Sequence, residues 1–346
     1  MRCYCVMHHG QPLVPVDKPT PELSGSEVLV RVLAAGLCHT DLHLWEGSYD
    51  MGGGKRLTLA ERGIVPPLTL SHEIVGTVVG GEGAPVGKTV LVHPWIGCGE
   101  CLACRRGEEN ICIKPQSLGV ARPGGFADHV IVPHPRYLVD IEGLDPGDAV
   151  PLACAGVTTY SALRKFGRRI GESPVVMIGA GGLGLMAIAV LKALGGAGAI
   201  VVDIDPRKRE AARAAGAIAT IDAGATDAAS LVMKATEGGA RAVLDLVGAT
   251  ATLKLALASV ARGGHIVVCG LMGGDLTLSL PVIPMRPITL QGSYVGTLDE
   301  LRELVDLVKR ERIPPIPITR RPLDEVNAAL DDLHRGRVVG RTVLVP

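Results

Sequence analysis

From residue 174 onward the chain repeats one unit, a short apolar run followed by a stretch of helical periodicity. Residues 174–178 (Pro-Val-Val-Met-Ile) lead into Gly179-Ala180-Gly181-Gly182-Leu183-Gly184, and a helical pattern then runs from 183 to 194. Further apolar runs follow at 199–203, 219–222, 242–246 and 265–269, with a helical stretch at 206–216. Strands covered by helices on both faces must be almost continuously apolar, and parallel strands need crossovers between them. The alternation therefore predicts an α/β fold with a doubly wound parallel sheet.

A Gly-x-Gly-x-x-Gly pattern alone is a weak sign. Here it follows a strand and opens a helix, and a second strand ends in Asp203, 19 residues past Gly184. Gly179, Gly181, Gly182 and Gly184 let the backbone approach a pyrophosphate. The N–H groups at the helix start, Leu183 among them, donate to it, and Asp203 accepts from the adenosine ribose hydroxyls. A carboxylate there repels a 2′-phosphate, so NAD is expected rather than NADP. Lys208 could reach the ribose from the next helix, or be a solvated surface lysine. The competing reading of the loop is a Gly-rich turn in an ordinary α/β domain.

The first 150 residues follow a different pattern. Residues 26–34, 72–79 and 88–93 alternate as half-buried strands, and Gly and Pro punctuate them heavily. Residues 47–68 read as a long loop. The expected division is a first domain over 1–152 and a nucleotide-binding domain over 153–293. Residues 294–346 carry two amphipathic helices (299–310 and 324–335) and a strand (341–345), and are expected to return to the first domain. A length of 346 residues, 47% apolar, suits two domains with full cores.

Nine cysteines, an odd number, argue against a disulfide framework. Four of them form Cys98-x2-Cys101-x2-Cys104-x7-Cys112 in a hydrophilic, Gly-rich segment, where thiols have no packing reason to cluster. Four thiolates this close can reach one tetrahedral ion, and a closed all-thiolate set is expected to be a structural zinc site. An iron–sulfur cluster is the alternative, although the bacterial ferredoxin spacing differs.

Lys+Arg and Asp+Glu are both 35, so no basic surplus exists for nucleic acid. Met1 to Gly10 has no apolar segment of the secretory kind. The apolar stretch 174–191 is long enough for a short membrane span but is interrupted by four glycines. The expectation is a cytoplasmic protein without a membrane partner.

A third group is scattered: Cys38-His39-Thr40-Asp41-Leu42-His43, then Ser71-His72-Glu73, then Cys154. By residue type alone these are candidates for a metal with an open position. In this order, together with Pro133-His134, Cys154-Ala155-Gly156-Val157-Thr158-Thr159-Tyr160 and Gly340-Arg341, the whole chain resembles a zinc-dependent alcohol dehydrogenase. The similarity is to the medium-chain dehydrogenase/reductase family, in its prokaryotic NAD-dependent branch.

The resemblance implies a GroES-like catalytic domain beside a Rossmann domain, with two zinc ions per chain and NAD. Catalytic zinc would sit on Cys38, His72 and Cys154, with Glu73 as an occasional fourth ligand, and structural zinc on Cys98, Cys101, Cys104 and Cys112. Asp41 would orient the site, Thr40 and His43 would relay the proton, and Thr158 would lie near the nicotinamide. His39 and Arg341 would approach the pyrophosphate, and Trp95 would wall the substrate pocket, with Trp45 flanking the entrance. A homotetramer built by pairing cofactor domains is implied, and the apolar segment 276–288 is a candidate for that contact or for core packing.

The chain departs from the family at Ser71, where glycine usually precedes His-Glu, and in the glycine register after Gly76 and the shortened loop 80–87. A short-chain dehydrogenase is disfavoured because no tyrosine has Lys four residues later. Within the family a polyol or amino-alcohol dehydrogenase is the alternative. Outside it, the alternative is a catalytically silent NAD- and zinc-binding protein. Reversible oxidation of a small alcohol to an aldehyde or ketone is expected.

Overall fold

The structure is a computed structural model that describes residues 1–20 and 22–346. The chain forms two compact units. One comprises residues 1–48, 58–157 and 296–346, and the other residues 49–57 and 158–295.

The second unit carries a six-stranded, all-parallel sheet. From edge to edge its strands are Ala219–Asp222, Ala199–Asp203, Val175–Ile178, Ala240–Asp245, Val260–Val268 and Thr289–Gly292. In chain order this is 3-2-1-4-5-6, the doubly wound arrangement that the alternation predicts. Val175–Ile178 is buried along its whole length, as a central strand under helices must be. The strand order reverses between Val175–Ile178 and Ala240–Asp245, and the glycine loop leaves the first of these. Helix Gly182–Ala193 follows immediately.

The first unit is built on a largely antiparallel sheet in which Val28–Leu37 is central. Glu73–Gly80 and Arg341–Val345 flank it, and His129–Val132 pairs with its first half. The terminal strand Arg341–Val345 thus returns the tail to the first unit, against Ala35–Leu37. Helix Leu298–Glu311 opens with Thr297, whose hydroxyl accepts from the Glu300 N–H, while the Glu300 carboxylate accepts from the Thr297 N–H. This reciprocal cap satisfies two orphan donors at once.

Two expectations change. Residues 47–68 are not one loop: Ser48–Asp50 and Arg56–Thr58 form a hairpin, and a short 3-10 turn follows. Tyr49–Leu57 belongs with the second unit, where Gly52 packs on Asp275 and Gly273 on Asp50 too closely for any added Cβ. Weak periodicity hid the hairpin because its strands are only three residues each. The segment 276–288 is largely exposed rather than core, with Leu280 76% and Met285 67% accessible. No helix among the described residues is long and apolar enough to cross a membrane.

Candidate functional site

Among the described residues of the first unit, two clusters of side chains could hold a metal ion. Cys38, His72, Glu73 and Cys154 each present a ligand atom within 4.8 Å of the others, and all four are buried. Cys98, Cys101, Cys104 and Cys112 do the same nearer the surface.

Strand register assembles the first cluster. Val28–Leu37 delivers Cys38 to the start of helix His39–Glu46, and its pairing of Gly36 with Glu73 sets His72 alongside. Cys154 arrives from a 3-10 turn, with its sulfur 3.9 Å from that of Cys38. Gly36 is required, since a Cβ there would lie 2.1 Å from Glu73 Oε2.

Asp41 binds the two ligand segments together. One carboxylate oxygen accepts from the Cys38 N–H at 2.8 Å, and the other from the Ser71 N–H at 2.9 Å. The second oxygen is also 3.8 Å from His72 Nδ1. An acid in the first turn of a helix is favoured by the exposed N–H groups there. Burial nevertheless pushes the Asp41 carboxyl up to about 6. Burial likewise raises Glu73 to about 7 against the opposing pull of Arg341, whose guanidinium is 2.9 Å away.

Both ring nitrogens of His72 are buried and, among the described residues, have no hydrogen-bond partner, while the buried Glu73 carboxylate faces only the Arg341 guanidinium. Burial works against His72 protonation, but the Cys38 thiolate and the Asp41 and Glu73 carboxylates outweigh it and lift the ring to about 9. The two buried thiols share one proton, so Cys38 is held low by Cys154 and Cys154 is held high by Cys38. A buried imidazole and two buried thiols whose ligand atoms lie within 4.8 Å of one another are a set that a divalent cation binds as it displaces their protons. The residues fit zinc, with Cys2His as ligands and Glu73 within reach.

The cysteine lobe is shaped for the same purpose. The N–H groups of Cys98 and Lys114 lie 3.2 Å from Cys112 Sγ, and the Cys101 N–H 3.4 Å from Cys98 Sγ. Backbone donors bring the Cys101 thiol down to about 6, those of Cys104 and Ile113 foremost. Glu109, which sequence reasoning missed, ties the lobe down. Its carboxylate accepts from the Gly97 N–H at 2.8 Å and the Tyr137 hydroxyl at 2.7 Å, and pairs with Arg136. Its only sequence signal is an acid three residues before Cys112.

Around the first cluster, the Thr40 hydroxyl stands 3.9 Å from Cys38 Sγ. His43 is on the next turn of the same helix and faces Glu46 at 3.9 Å, and Glu46 in turn faces His334 at 3.9 Å. Burial holds the His43 ring below its ordinary value. His39 is exposed at the helix start. Trp95 packs on His72 with ring centroids 5.0 Å apart and donates its indole N–H to the Ala153 carbonyl. Trp45 instead packs on His334 and donates to the Gln11 carbonyl. Arg341 is buried against Glu73, a pairing that only the register of the last strand creates.

His93, two residues before Trp95, is fully buried, with its ring stacked on that of Tyr137 at 6.3 Å between centroids. Burial pushes it from 6.5 down to about 3. The unfolded chain therefore takes up a proton below pH 6.5 that the fold refuses. The stability this ring contributes is complete above 6.5 and is lost as pH falls toward 3. Between pH 7 and pH 5 the wild type should lose about 2 kcal/mol more unfolding free energy than His93→Leu, measured by urea titration. Equal losses would refute this assignment.

In the second unit, Gly179 has φ +102°, and a Cβ on Gly184 would lie 2.2 Å from the Gly179 carbonyl oxygen, whereas one on Gly181 would meet nothing within 4 Å. The first two positions need glycine for the turn, and the third leaves open space over the helix start. The first intrahelical bond runs from the Leu185 N–H to the Gly181 carbonyl, so the N–H groups of Gly182, Leu183 and Gly184 face outward for an anion. Asp203 ends its strand with one oxygen on the Ala180 N–H at 2.7 Å and the other on the Asp205 N–H at 2.8 Å. Arg207 pairs with Asp205, and Arg209 with Asp222 and the Asp203 carbonyl, so both are already engaged. Lys208 is partly exposed at the start of the next helix, and Thr158 is buried in helix Ala155–Arg164.

Comparison with known proteins agrees with this chemistry. Residues 24–143 match the alcohol dehydrogenase GroES-like domain, and residues 182–310 the zinc-binding dehydrogenase domain. An NAD-dependent alcohol dehydrogenase of Sulfurisphaera tokodaii is 39% identical over the full length of both chains. A D-arabinose 1-dehydrogenase (NADP+) of Saccharolobus solfataricus is 36% identical, covering 97% of this chain and 95% of that one. The crystal structure of the alcohol dehydrogenase from Aeropyrum pernix superposes over the whole of both chains with a TM-score of 0.90 at 32% identity.

Proposed function

The chain belongs to the zinc-dependent alcohol dehydrogenases of the medium-chain dehydrogenase/reductase family, and from that premise we propose that it reversibly oxidises primary and secondary alcohols to aldehydes and ketones with NAD. The observation that carries this reading is the buried set Cys38, His72 and Cys154, whose ligand atoms converge within 4.8 Å of one another. Bound to these residues and to the glycine loop, zinc supplies Lewis acidity towards the alcohol oxygen and NAD supplies the hydride acceptor.

The protein's own part is positional and protonic. Asp41 holds the Cys38 and His72 segments in one geometry, which limits the reorganisation the site undergoes during reaction. The Thr40 hydroxyl takes the alcohol proton, and the His43 imidazole, kept largely neutral by burial, delivers it to solvent. Asp203 holds the adenosine ribose, with Gly179, Gly181, Gly182, Leu183 and Gly184 on the pyrophosphate. His39, Thr158, Lys208 and Arg341 are the further cofactor contacts of this reading. Cys98, Cys101, Cys104 and Cys112 hold the second, structural zinc.

Trp95, whose ring lies tilted 5.0 Å from that of His72, gives the substrate pocket an apolar wall, so medium-chain and aromatic alcohols are expected over polyols. A panel of alcohols and sugars followed by NADH absorbance tests both points. No NAD reduction by any alcohol would defeat the function, and a preference for sugars would favour the polyol alternative instead. Trp95→Leu should raise kcat/KM for bulky alcohols relative to small ones while zinc content and NAD affinity stay unchanged. An unchanged size ranking with a much lower Tm would make Trp95 a core residue only.

A homotetramer in the cytoplasm completes the proposal. The last strand of the parallel sheet, Thr289–Gly292, is an edge with every residue exposed. Leu290, Leu280 and Met285 lie exposed on it or in the segment before it. An open edge beside apolar side chains is unstable against pairing. Light scattering at micromolar concentration should show an oligomer, which Met285→Asp weakens. A monomeric wild type would overturn this.

A further inference from the structure

Ser71 sits in a left-handed conformation, φ +70°, with no accessible surface. It is bonded on every side. Its N–H donates to Asp41 Oδ1 at 2.9 Å, and its carbonyl accepts from the Gly125 N–H at 2.9 Å. Its hydroxyl donates to the Gly36 carbonyl at 2.9 Å and lies 3.3 Å from the Glu73 carbonyl. Gly119 and Gly124 close over it, since a Cβ on either would lie 2.3 or 2.1 Å from the Ser71 carbonyl oxygen.

Glycine meets such a turn without steric cost, and a side chain is tolerated only where the surroundings enforce it. Here the side chain that replaces it does something glycine cannot. Gly36 is two residues before Cys38, and Ser71 is one residue before His72. The hydroxyl therefore joins the two segments that carry those ligands, in parallel with the Asp41 carboxylate, and does so without a charge.

We propose that Ser71 is a positioning residue of the catalytic metal centre, its hydroxyl locking the His72 turn to the strand end that presents Cys38. The proposal rests on reading Cys38, His72 and Cys154 as zinc ligands. Outer partners of this kind commonly change metal affinity by about 10–100-fold.

The test compares wild type, Ser71→Gly and Ser71→Ala, each fully loaded with zinc, and a parallel set with cobalt in the buried site. Zinc release to a chelator is followed at both sites, with the cysteine-lobe zinc as the internal reference. Ser71→Gly relieves the turn and should keep its Tm. It should release the buried-site zinc about tenfold faster and shift the cobalt–thiolate absorption, while lobe release is unchanged. Ser71→Ala, which keeps the Cβ without the hydroxyl, should show the same acceleration with a lower Tm. Wild-type release and an unchanged cobalt spectrum in Ser71→Gly would overturn the proposal. So would faster release from both sites in step with a falling Tm, which marks a general loss of structure. Cys38→Ala separates the two levels. If it still holds two zinc ions, the site reading fails and takes the proposal with it; if it holds one, a negative Ser71 result counts against Ser71 alone.

Discussion

Cys38→Ala should retain one zinc ion of two and lose alcohol oxidation by roughly a thousandfold or more, because Lewis-acid assistance is worth several kcal/mol. The fold should survive. Cys38 caps a helix through its backbone N–H, which reaches Asp41 whatever the side chain, and Cys154 then keeps an ordinary buried thiol. Cys104→Ala should do the reverse. It removes a ligand from the lobe whose sulfurs lie 3.5–4.0 Å apart, and structural zinc contributes folding free energy directly. Its Tm should fall by many degrees, with Glu109 left holding a lobe that has no centre. Activity per remaining folded molecule should stay measurable. Elemental analysis, calorimetry and NADH absorbance together check both variants. One zinc per wild-type chain at full activity, or iron in place of zinc, would sink the assignment.

Asp203→Gly should weaken NAD and improve NADP. Two hydrogen bonds from ribose hydroxyls to a carboxylate are worth about 2–4 kcal/mol together, so KM for NAD should rise by roughly 30- to 1000-fold. Use of NADP should improve at the same time, since the charge facing its 2′-phosphate is gone. The gain should be partial. Arg207 is occupied by Asp205 and Arg209 by Asp222, which leaves Lys208 as the cation with most freedom to approach. The Ala180 N–H also loses its acceptor, so some loosening of the glycine loop should reduce kcat with either cofactor. Steady-state kinetics with NAD and NADP measure each part. A wild type that already prefers NADP would show that Asp203 does not select the ribose.

Features that rest on a strong local pattern were legible without coordinates; the hairpin Ser48–Asp50 with Arg56–Thr58 was not, because its strands are only three residues each. The parallel sheet follows from apolar runs alternating with helical periods, and strand order 3-2-1-4-5-6 is the form such a chain takes. The glycine loop and Asp203 lie within one βαβ unit. The four lobe cysteines lie within fifteen residues of chain, so spacing alone brings their sulfurs together.

The buried centre is different. Cys38 and Cys154 are 116 residues apart, and no local pattern joins them. Their convergence depends on antiparallel register, with Gly36 opposite Glu73 and Leu37 opposite Thr342, and a slip of one residue would turn each ligand to the other face. Only the resemblance to a family anticipated that set. The same register brings Arg341 onto Glu73, and it gives Ser71 a carbonyl to bind at Gly36. Tyr49–Leu57 joins the second unit for a related reason, because glycines at 52 and 273 permit a backbone approach that periodicity does not record. Sequence determined the elements of strong period and the residues that act within one short segment. Tertiary structure decided which distant donors share one buried space, because that depends on how strands pair and on what is left without water when they do.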